Sequence, residues 1–440
     1  MSRTLLSRRQ FLQASVATSL TISPAMRVYS QGTSEAGRLL VTLQLDGGAD
    51  VTMFCDPKVN IRGEPKINHW ADTLDPEQAG AFWFAPVAEN KALFERFGED
   101  TLLINGVDAQ TNSHETGKLF NWTGANSEGQ PSLSALFAAA RAPTEPLAYS
   151  VFGGLSRTAG IVGYNRFDDL SVLRGLTQPS IEPWSGETKK WQVDIGRAQR
   201  AVDREASRLW ELDNLSVRQR VNLERFRDAR DSRDSLAQLA DLIPADDQIV
   251  QREDFTAGGT MFSSNLKQQM QSALLVFQSG LGVAADLSIG GFDSHEENEP
   301  IQIALLSHLY EALSFFWDEA NARGLADRIL LVIGSDFGRT NYINEGNGKD
   351  HWPIGSYLIM EQGATWGNRA IGSTDALHFA ERIDPKTLKQ SAKGVMVTPA
   401  HVHKAIREYV GIEEFATSIG LGLADVDSLP LFDPLLDVTA

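Results

Sequence analysis

Arg328-Ile-Leu-Leu-Val-Ile-Gly-Ser-Asp-Phe-Gly-Arg-Thr340 is the stretch whose reading decides the fold. Its apolar run reads as a strand buried on both faces, and it stops at a turn that carries Asp336. A helical stretch from Ile301 to Arg323 precedes it, and a further strand, Ile354 to Met360, follows. The same alternation recurs outward. Leu39-Leu-Val-Thr-Leu-Gln-Leu45 ends in Asp46-Gly-Gly-Ala-Asp50, and Thr101 to Gly106 is a second strand. A helix from Ser264 to Ser279 leads into strand Val283 to Ile289, which reaches Gly290-Gly-Phe-Asp-Ser-His295. Pro399 to Tyr409 forms a late helix. Strands and helices alternating at this spacing predict an α/β fold, with a mainly parallel central sheet and helices on both faces.

Between these elements, residues 55–85 are rich in Pro, Asp, Asn and Trp and read as a long irregular loop. Pro86 to Phe97 is helical, and an amphipathic stretch runs to Trp122, with Ser113 or Asn112 as its N-cap. From Asp194 to Ile243 charges dominate. Apolar residues there recur at Ile195, Ala198, Val202, Ala206 and Leu209, then at Val221, Phe226, Leu236 and Leu239. That spacing predicts a helical hairpin or pair, inserted at about 194–243 into a domain spanning 38–440. A lid over a site and a docking surface are both open roles for it.

The N-terminus reads Ser7-Arg-Arg-Gln-Phe-Leu12, a twin-arginine export motif. The apolar stretch behind it, Phe11 to Ala25, is too short and too polar to span a bilayer. Residues 1–30 are therefore expected to be a signal peptide, cleaved after Ala25 or Ser30, that engages the twin-arginine translocation machinery. The destination is periplasmic or secreted, with no stable membrane anchor. Cys55 is the only cysteine, so no intramolecular disulfide forms despite the oxidising compartment. Removing four Arg and no acid from a formal net charge of -17 leaves about -21 for the mature chain. Such a surface disfavours nucleic acid and anionic membrane as partners. An anionic substrate has to be drawn in by a locally positive site, which a metal supplies.

Asp46, Asp293 and Asp336 each follow a buried strand, where a carboxylate is costly unless paired or bound to a cation. One alone reads as a turn former or N-cap. Three together, with His295 and with His351 of Asp350-His351, predict a divalent-metal site at the carboxyl rim of the sheet. Imidazole and carboxylate suit zinc, manganese or iron, and an oxygen-rich subset suits calcium or magnesium. His114 stands at a helix start beside Ser113 and Thr111, and a helix N-terminus favours oxyanions. A hydroxyl there can serve as nucleophile or substrate anchor, or simply as a cap. Arg339 can form a bidentate clamp on phosphate or sulfate, or a plain salt bridge, and Lys349 is a weaker candidate of the same kind. His401 and His403, two apart on a helix, do not face each other and are left out.

At these residues the chain resembles the exported bacterial proteins catalogued as "domain of unknown function 1501". The matching pieces are the twin-arginine leader, Leu-Asp-Gly-Gly-Ala-Asp at 45–50 and Asn-Ser-His at 112–114. They continue with Gly-Gly-Phe-Asp-Ser-His at 290–295, Asp-Phe-Gly-Arg-Thr at 336–340 and Asp-His-Trp at 350–352. That family is itself similar to the alkaline phosphatase and sulfatase superfamily. The resemblance implies one or two metals held by Asp and His at the carboxyl edge of the sheet, with a nucleophile at a helix N-terminus. It places Asp46 as the first-strand metal Asp, Asp293 and His295 as one metal's pair, Asp336 as the late Asp and His351 as the final metal His. Ser113 or Thr111 falls at the nucleophile position. Phe337 stands where the phosphatase pattern has a ligand His. The sulfatase pattern of Cys, Pro and Arg at alternate positions is not met at Cys55-Asp-Pro-Lys-Val59, so a formylglycine sulfatase is rejected. Two functions follow as expectations. One is an exported metal-dependent hydrolase acting on an anionic phosphate or sulfate ester. The other is an exported binding or assembly protein that keeps the fold without turnover.

Overall fold

In the computed structural model the described residues are 37–167, 170–177, 192–231 and 233–436, so the expected signal peptide and its cleavage site lie outside them. The strand Leu39–Leu45 is buried at every position. Leu39, Val41, Leu43 and Leu45 point into one apolar cluster and Leu40 into another, as expected of a strand covered on both faces. It pairs in parallel with Ile329–Ser335 on one side and with Ala284–Ile289 on the other. Tyr149–Val151 and Asn165–Arg166 extend the second side in parallel. On the first side, Ile354–Met360 runs antiparallel to Ile329–Ser335. Thr101–Asp108 runs antiparallel to that strand in turn, which restores the common direction, and Arg369–Ile371 lies parallel beside it at the edge. Seven of the eight strands of this sheet therefore point one way, and the mainly parallel α/β fold is observed.

Helices Leu266–Gln278 and Asn298–Ala322 cover one face through Met270, Leu274, Phe277, Leu305, Leu309 and Phe316. Leu133–Arg141 and Pro399–Tyr409 cover the other through Leu136, Phe137, Val402 and Ile406. Each such side chain contributes roughly 1.5–3 kcal/mol by leaving water, which is what holds the layers together.

Residues 55–85 depart from the irregular loop the sequence predicts. They hold a turn of 3-10 helix at Trp70–Asp72 and a hairpin of Glu77–Ala79 with Phe82–Phe84. Phe82 and Phe84 bury their rings against Phe94, a contact that no local pattern announces. Over 192–242 there are three helices, Gln192–Trp210, Val217–Asp231 and Arg233–Leu242. The first two are joined by the Arg230–Asp203 ion pair and by Arg227 stacked over Trp210, and the third inserts Leu239 into the core. Among the described residues, no helix is long and apolar enough to cross a membrane.

Direction then does the positioning. The strands ending at Leu45, Ile289, Ser335 and Asp108 all deliver their following loops to one rim. The reversed strand beginning at Ile354 starts from that same rim, so the loop carrying His351 arrives there too. Two glycines let these loops close up. A Cβ on Gly47, whose φ is +118°, would fall 2.4 Å from the Asp293 nitrogen, and one on Gly117 would fall 2.5 Å from the Asp336 carbonyl oxygen.

Candidate metal centre

Three imidazoles and one carboxylate converge at the rim. His295 Nδ1 lies 2.8 Å from Asp350 Oδ1, His351 Nδ1 2.8 Å from the Asn112 carbonyl, and His114 Nδ1 2.7 Å from Asp336 Oδ2. All three partners can only accept, so each Nδ1 carries the proton and donates it. In its neutral form each ring then presents a lone pair at Nε2. Those three nitrogens all turn to Asp293: His295 Nε2 and His351 Nε2 stand 3.1 and 3.3 Å from its Oδ1, and His114 Nε2 stands 3.5 Å from its Oδ2. The His295 and His351 nitrogens are themselves 2.9 Å apart.

Acceptors facing acceptors repel unless a positive charge lies among them. A single proton would relieve one contact, whereas a cation relieves them all. Ligand atoms around one tetrahedral ion with bonds near 2.0–2.1 Å stand about 3.3 Å apart, close to the 2.9, 3.1 and 3.3 Å measured here. His114, Asp293 and His351 likewise offer ligand atoms that all lie within 4.8 Å of one another. Asp293 and His295 keep nearly half of their side-chain surface, so one side of the cluster stays open to solvent, as a reactive site requires. The residues present fit a divalent ion.

Arg339 braces this cluster from beneath. It is fully buried and donates from Nε to the Gly48 carbonyl (2.9 Å), from NH1 to the Lys349 carbonyl (3.0 Å), and from NH2 to the Gly47 carbonyl and to Asp293 Oδ1 (2.6 Å). Burial works against charge on Asp293, but this guanidinium overrides it and holds the carboxyl below its usual range. The clamp on phosphate or sulfate that the sequence offers for Arg339 is corrected here. A guanidinium with no exposed surface and its donors committed positions Asp293 and does not meet a substrate. Lys349 is corrected likewise, since it is buried against Asp50 Oδ2 (2.7 Å), Thr52 Oγ1 (2.8 Å) and Asn68 Oδ1 (2.9 Å).

Asp46 and Asp336 form a second focus beside the first. Asp336 is fully buried; its Oδ2 accepts from Gly47 N (3.3 Å) and from His114, while its Oδ1 has no hydrogen-bond partner. Asp46 Oδ1 is also without a hydrogen bond, with Lys118 Nζ 3.5 Å away in ion-pair contact; the same ammonium is 4.0 Å from Asp336 Oδ2. Burial pushes the Asp46 carboxyl up to about 6, with Asp336 adding to the rise and Lys118 opposing it. The hydrogen bond to Asp336 raises His114 in turn. Phe337 packs its ring 4.8 Å from His114 and 4.6 Å from His351, an apolar surface against these two imidazoles.

Ser113 is the N-cap of the helix His114–Thr123 but makes no side-chain capping bond, so its exposed hydroxyl stays free at the helix N-terminus. Thr111 Oγ1 accepts from Ser113 N at 3.1 Å and shapes that turn. His401 and His403 point apart, one capping its helix at Thr398 and the other donating to the Asn121 carbonyl. Sequence reading missed Lys118, which follows His114 at i+4 and so shares its helix face, a spacing that could have shown it. Asp350, which the sequence brings to the rim beside His351, orients His295, as carboxylates behind metal-ligating histidines do.

The sequence model of the family described as "Protein of unknown function (DUF1501)" matches residues 187–409, which hold Asp293, His295, Asp336 and His351. No curated protein matches the chain. Solved structures similar to it include a protein in the alkaline phosphatase superfamily from Vibrio parahaemolyticus, at 8% identity and TM-score 0.37, covering 85% of this chain and 67% of that one. The putative sulfatase yidJ from Bacteroides fragilis is similar at 9% identity and TM-score 0.38, covering 93% and 80%. The lipoteichoic acid synthase LtaP from Listeria monocytogenes is similar at 10% identity and TM-score 0.35, covering 91% and 76%. None of these likenesses carries a substrate or a mechanism to this chain.

Proposed function

We propose that this chain, which belongs to the DUF1501 family, is an exported metal-dependent hydrolase of phosphate or sulfate esters. The observation that carries the reading is the cluster of three Nε2 lone pairs around Asp293, each fixed by a partner behind its Nδ1. Asp293, His295 and His351 would hold a divalent ion, with His114 beside them. A bound ion supplies Lewis-acid polarisation of the ester and a positive focus in an acidic surface.

The chain's own residues do the rest. Asp350, the Asn112 carbonyl and Asp336 hold the Nδ1 protons of the three rings and so turn their Nε2 atoms towards Asp293. Arg339 keeps Asp293 charged and fixed to the Gly47-Gly48 turn. The helix His114–Thr123 begins beside this cluster without a side-chain cap, and a helix N-terminus suits the anionic head of an ester. Ser113 offers its free hydroxyl there as nucleophile, with water as the alternative attacking group. The other reading, a binding or assembly protein without turnover, draws on Phe337, which gives the Asp46–Asp336 side no imidazole of its own.

The test is elemental analysis of chelator-free protein from its export compartment, alongside the Asp293→Ala variant and a panel of phosphate and sulfate esters. Stoichiometric metal and turnover in the native chain, both lost in the variant, are expected. Metal without turnover across the panel would favour the binding protein, and no metal in either sample would sink both the ion and the hydrolase.

A further inference from the structure

We propose that the cavity beside Asp46 receives the alcohol part of the ester, and that this alcohol is rich in hydroxyl groups, with Glu115, Lys118 and Arg157 as its hydrogen-bonding partners. The inference rests on the hydrolase reading above and deepens it by naming the substrate class.

The cavity has a volume of about 480 Å³, within the range of small-molecule sites, and is lined by Asp46, Glu115, Lys118, Gly154, Leu155 and Arg157. A short run of contacts joins it to the imidazole cluster. His114 turns Nε2 to Asp293 and Nδ1 to Asp336, and Lys118 Nζ stands 4.0 Å from Asp336 and 3.5 Å from Asp46. Two elements build its walls. One is the helix His114–Thr123, where Glu115 and Lys118 are spaced i, i+3 and so share a face. The other is the loop after Tyr149–Val151, a strand parallel to Ala284–Ile289 that delivers its loop to the same rim. Buried Gln44 pins that loop, donating from Nε2 to the Leu155 carbonyl at 2.9 Å and accepting at Oε1 from Leu155 N at 2.7 Å. The Arg157 carbonyl in turn accepts from Ser132 N at 2.8 Å. The wall that presents Arg157 is thus fixed from behind.

The lining decides the chemistry. Small-molecule sites are mostly apolar with a few polar groups. Among the described residues lining this one, four of six are charged, two of each sign, and Leu155 has the one apolar side chain. An aliphatic or aromatic alcohol would strip water from these groups and return no hydrogen bond. A hydroxyl both donates and accepts, so a polyol satisfies carboxylates and cations at once. The groups can also exchange partners. Glu115 is exposed, Lys118 carries three donors and meets Asp46 only at ion-pair distance, and Arg157 is paired at the surface with Glu128. Arg339 and Lys349, by contrast, have spent their donors in the interior.

The experiment compares glucose 6-phosphate with hexyl phosphate, and the corresponding sulfates, because each pair releases primary alcohols of matched intrinsic reactivity. In metal-loaded native protein kcat/KM should favour the glucose ester on the order of a hundredfold, and Arg157→Met and Glu115→Gln should each lower that ratio about tenfold. A native ratio near one, or a ratio that neither variant moves, would overturn the inference and leave the hydrolase standing. Binding is read separately, by saturation-transfer NMR of methyl glucoside and hexanol with native protein and Arg157→Met. Transfer to the glucoside that weakens in the variant is expected. Transfer to hexanol alone, or to neither, would overturn the assignment of the cavity. No turnover of either pair, with transfer to the glucoside intact, would sink the hydrolase and leave the cavity a polyol site.

Discussion

Asp46 and Asp50 stand four residues apart in one glycine-rich turn, yet they do opposite things. Asp50 is fully buried and fully bonded. Its Oδ1 accepts from Thr52 N and Oγ1 at 3.1 and 2.7 Å, and its Oδ2 accepts from Asn298 Nδ2 and Lys349 Nζ at 2.8 and 2.7 Å. Burial opposes its charge, but Lys349 and these bonds override the cost and hold the carboxyl below its usual range. Asp46 is less buried, has only the Lys118 ammonium 3.5 Å from its Oδ1, and has its carboxyl pushed up to about 6 by burial. The difference teaches what separates a carboxylate that builds the fold from one kept in readiness. The first has its bonding capacity filled from inside the chain, and the second is left short of one partner at an opening.

The largest effect should come from breaking the filled pair. Lys349→Met strands the Asp50 carboxylate in the interior and is expected to cost about 3–5 kcal/mol of stability. Asp46→Asn, measured near neutrality with chelator present, should cost no stability and gain on the order of 1–3 kcal/mol, because it removes a charge that burial disfavours and loses only a long ion pair to Lys118. Denaturant unfolding of both variants checks this. Equal losses would erase the distinction between the two carboxylates.

How far this was legible in sequence follows the same line. Asp46, Asp293 and Asp336 could be read because a strand end followed by a carboxylate is a local pattern, and the parallel sheet brings such ends to one rim. The late helix matched its predicted bounds, Pro399–Tyr409, because its proline start and apolar spacing are local too. Asp50 could not be told from Asp46, because its partners Lys349 and Asn298 are about 300 and 250 residues away in the chain. For the same reason sequence alone leaves a clamp and a salt bridge both open for Arg339 and Lys349, and the ion pairs observed are internal. Charge near a motif looks available until tertiary packing shows which groups are already spent.

A smaller effect, on the order of 1–3 kcal/mol, should sharpen the contrast through pH in metal-free protein. Asp46 has its folded pKa raised to about 6, above the 3.8 of an unperturbed carboxyl. Near neutrality it is charged in both folded and unfolded chains, and the fold bears the cost of burying that charge. Between about 6 and 3.8 the folded chain binds the extra proton, so Asp46 makes the fold relatively more stable as the pH falls. The stability of the native chain minus that of Asp46→Asn should therefore rise on acidification through this window. Asp50 has its pKa lowered, so its contribution is present above 3.8 and is lost as the pH falls below it. A difference between native and Asp46→Asn that is flat across pH 6 to 4 would mean that Lys118 and solvent already satisfy Asp46.

The smallest effect on stability should come from the residue with most at stake in chemistry. Ser113 caps its helix without a side-chain bond, so Ser113→Ala forfeits none of the roughly 1 kcal/mol that a bonded serine cap contributes. Its unfolding free energy should change by less than about 0.5 kcal/mol, in line with an exposed surface position. Metal content should not change either, because Ser113 is outside the cluster around Asp293. That leaves turnover as the informative axis. A fall of several powers of ten in kcat with stability and metal intact assigns attack to the Ser113 hydroxyl. A kcat within a few-fold of the native value assigns attack to water and returns Ser113 to the role of a helix start. Either outcome extends the lesson of Asp46 and Asp50, since a side chain left unbonded at the rim is tested by what it does and one bonded in the interior by what it holds.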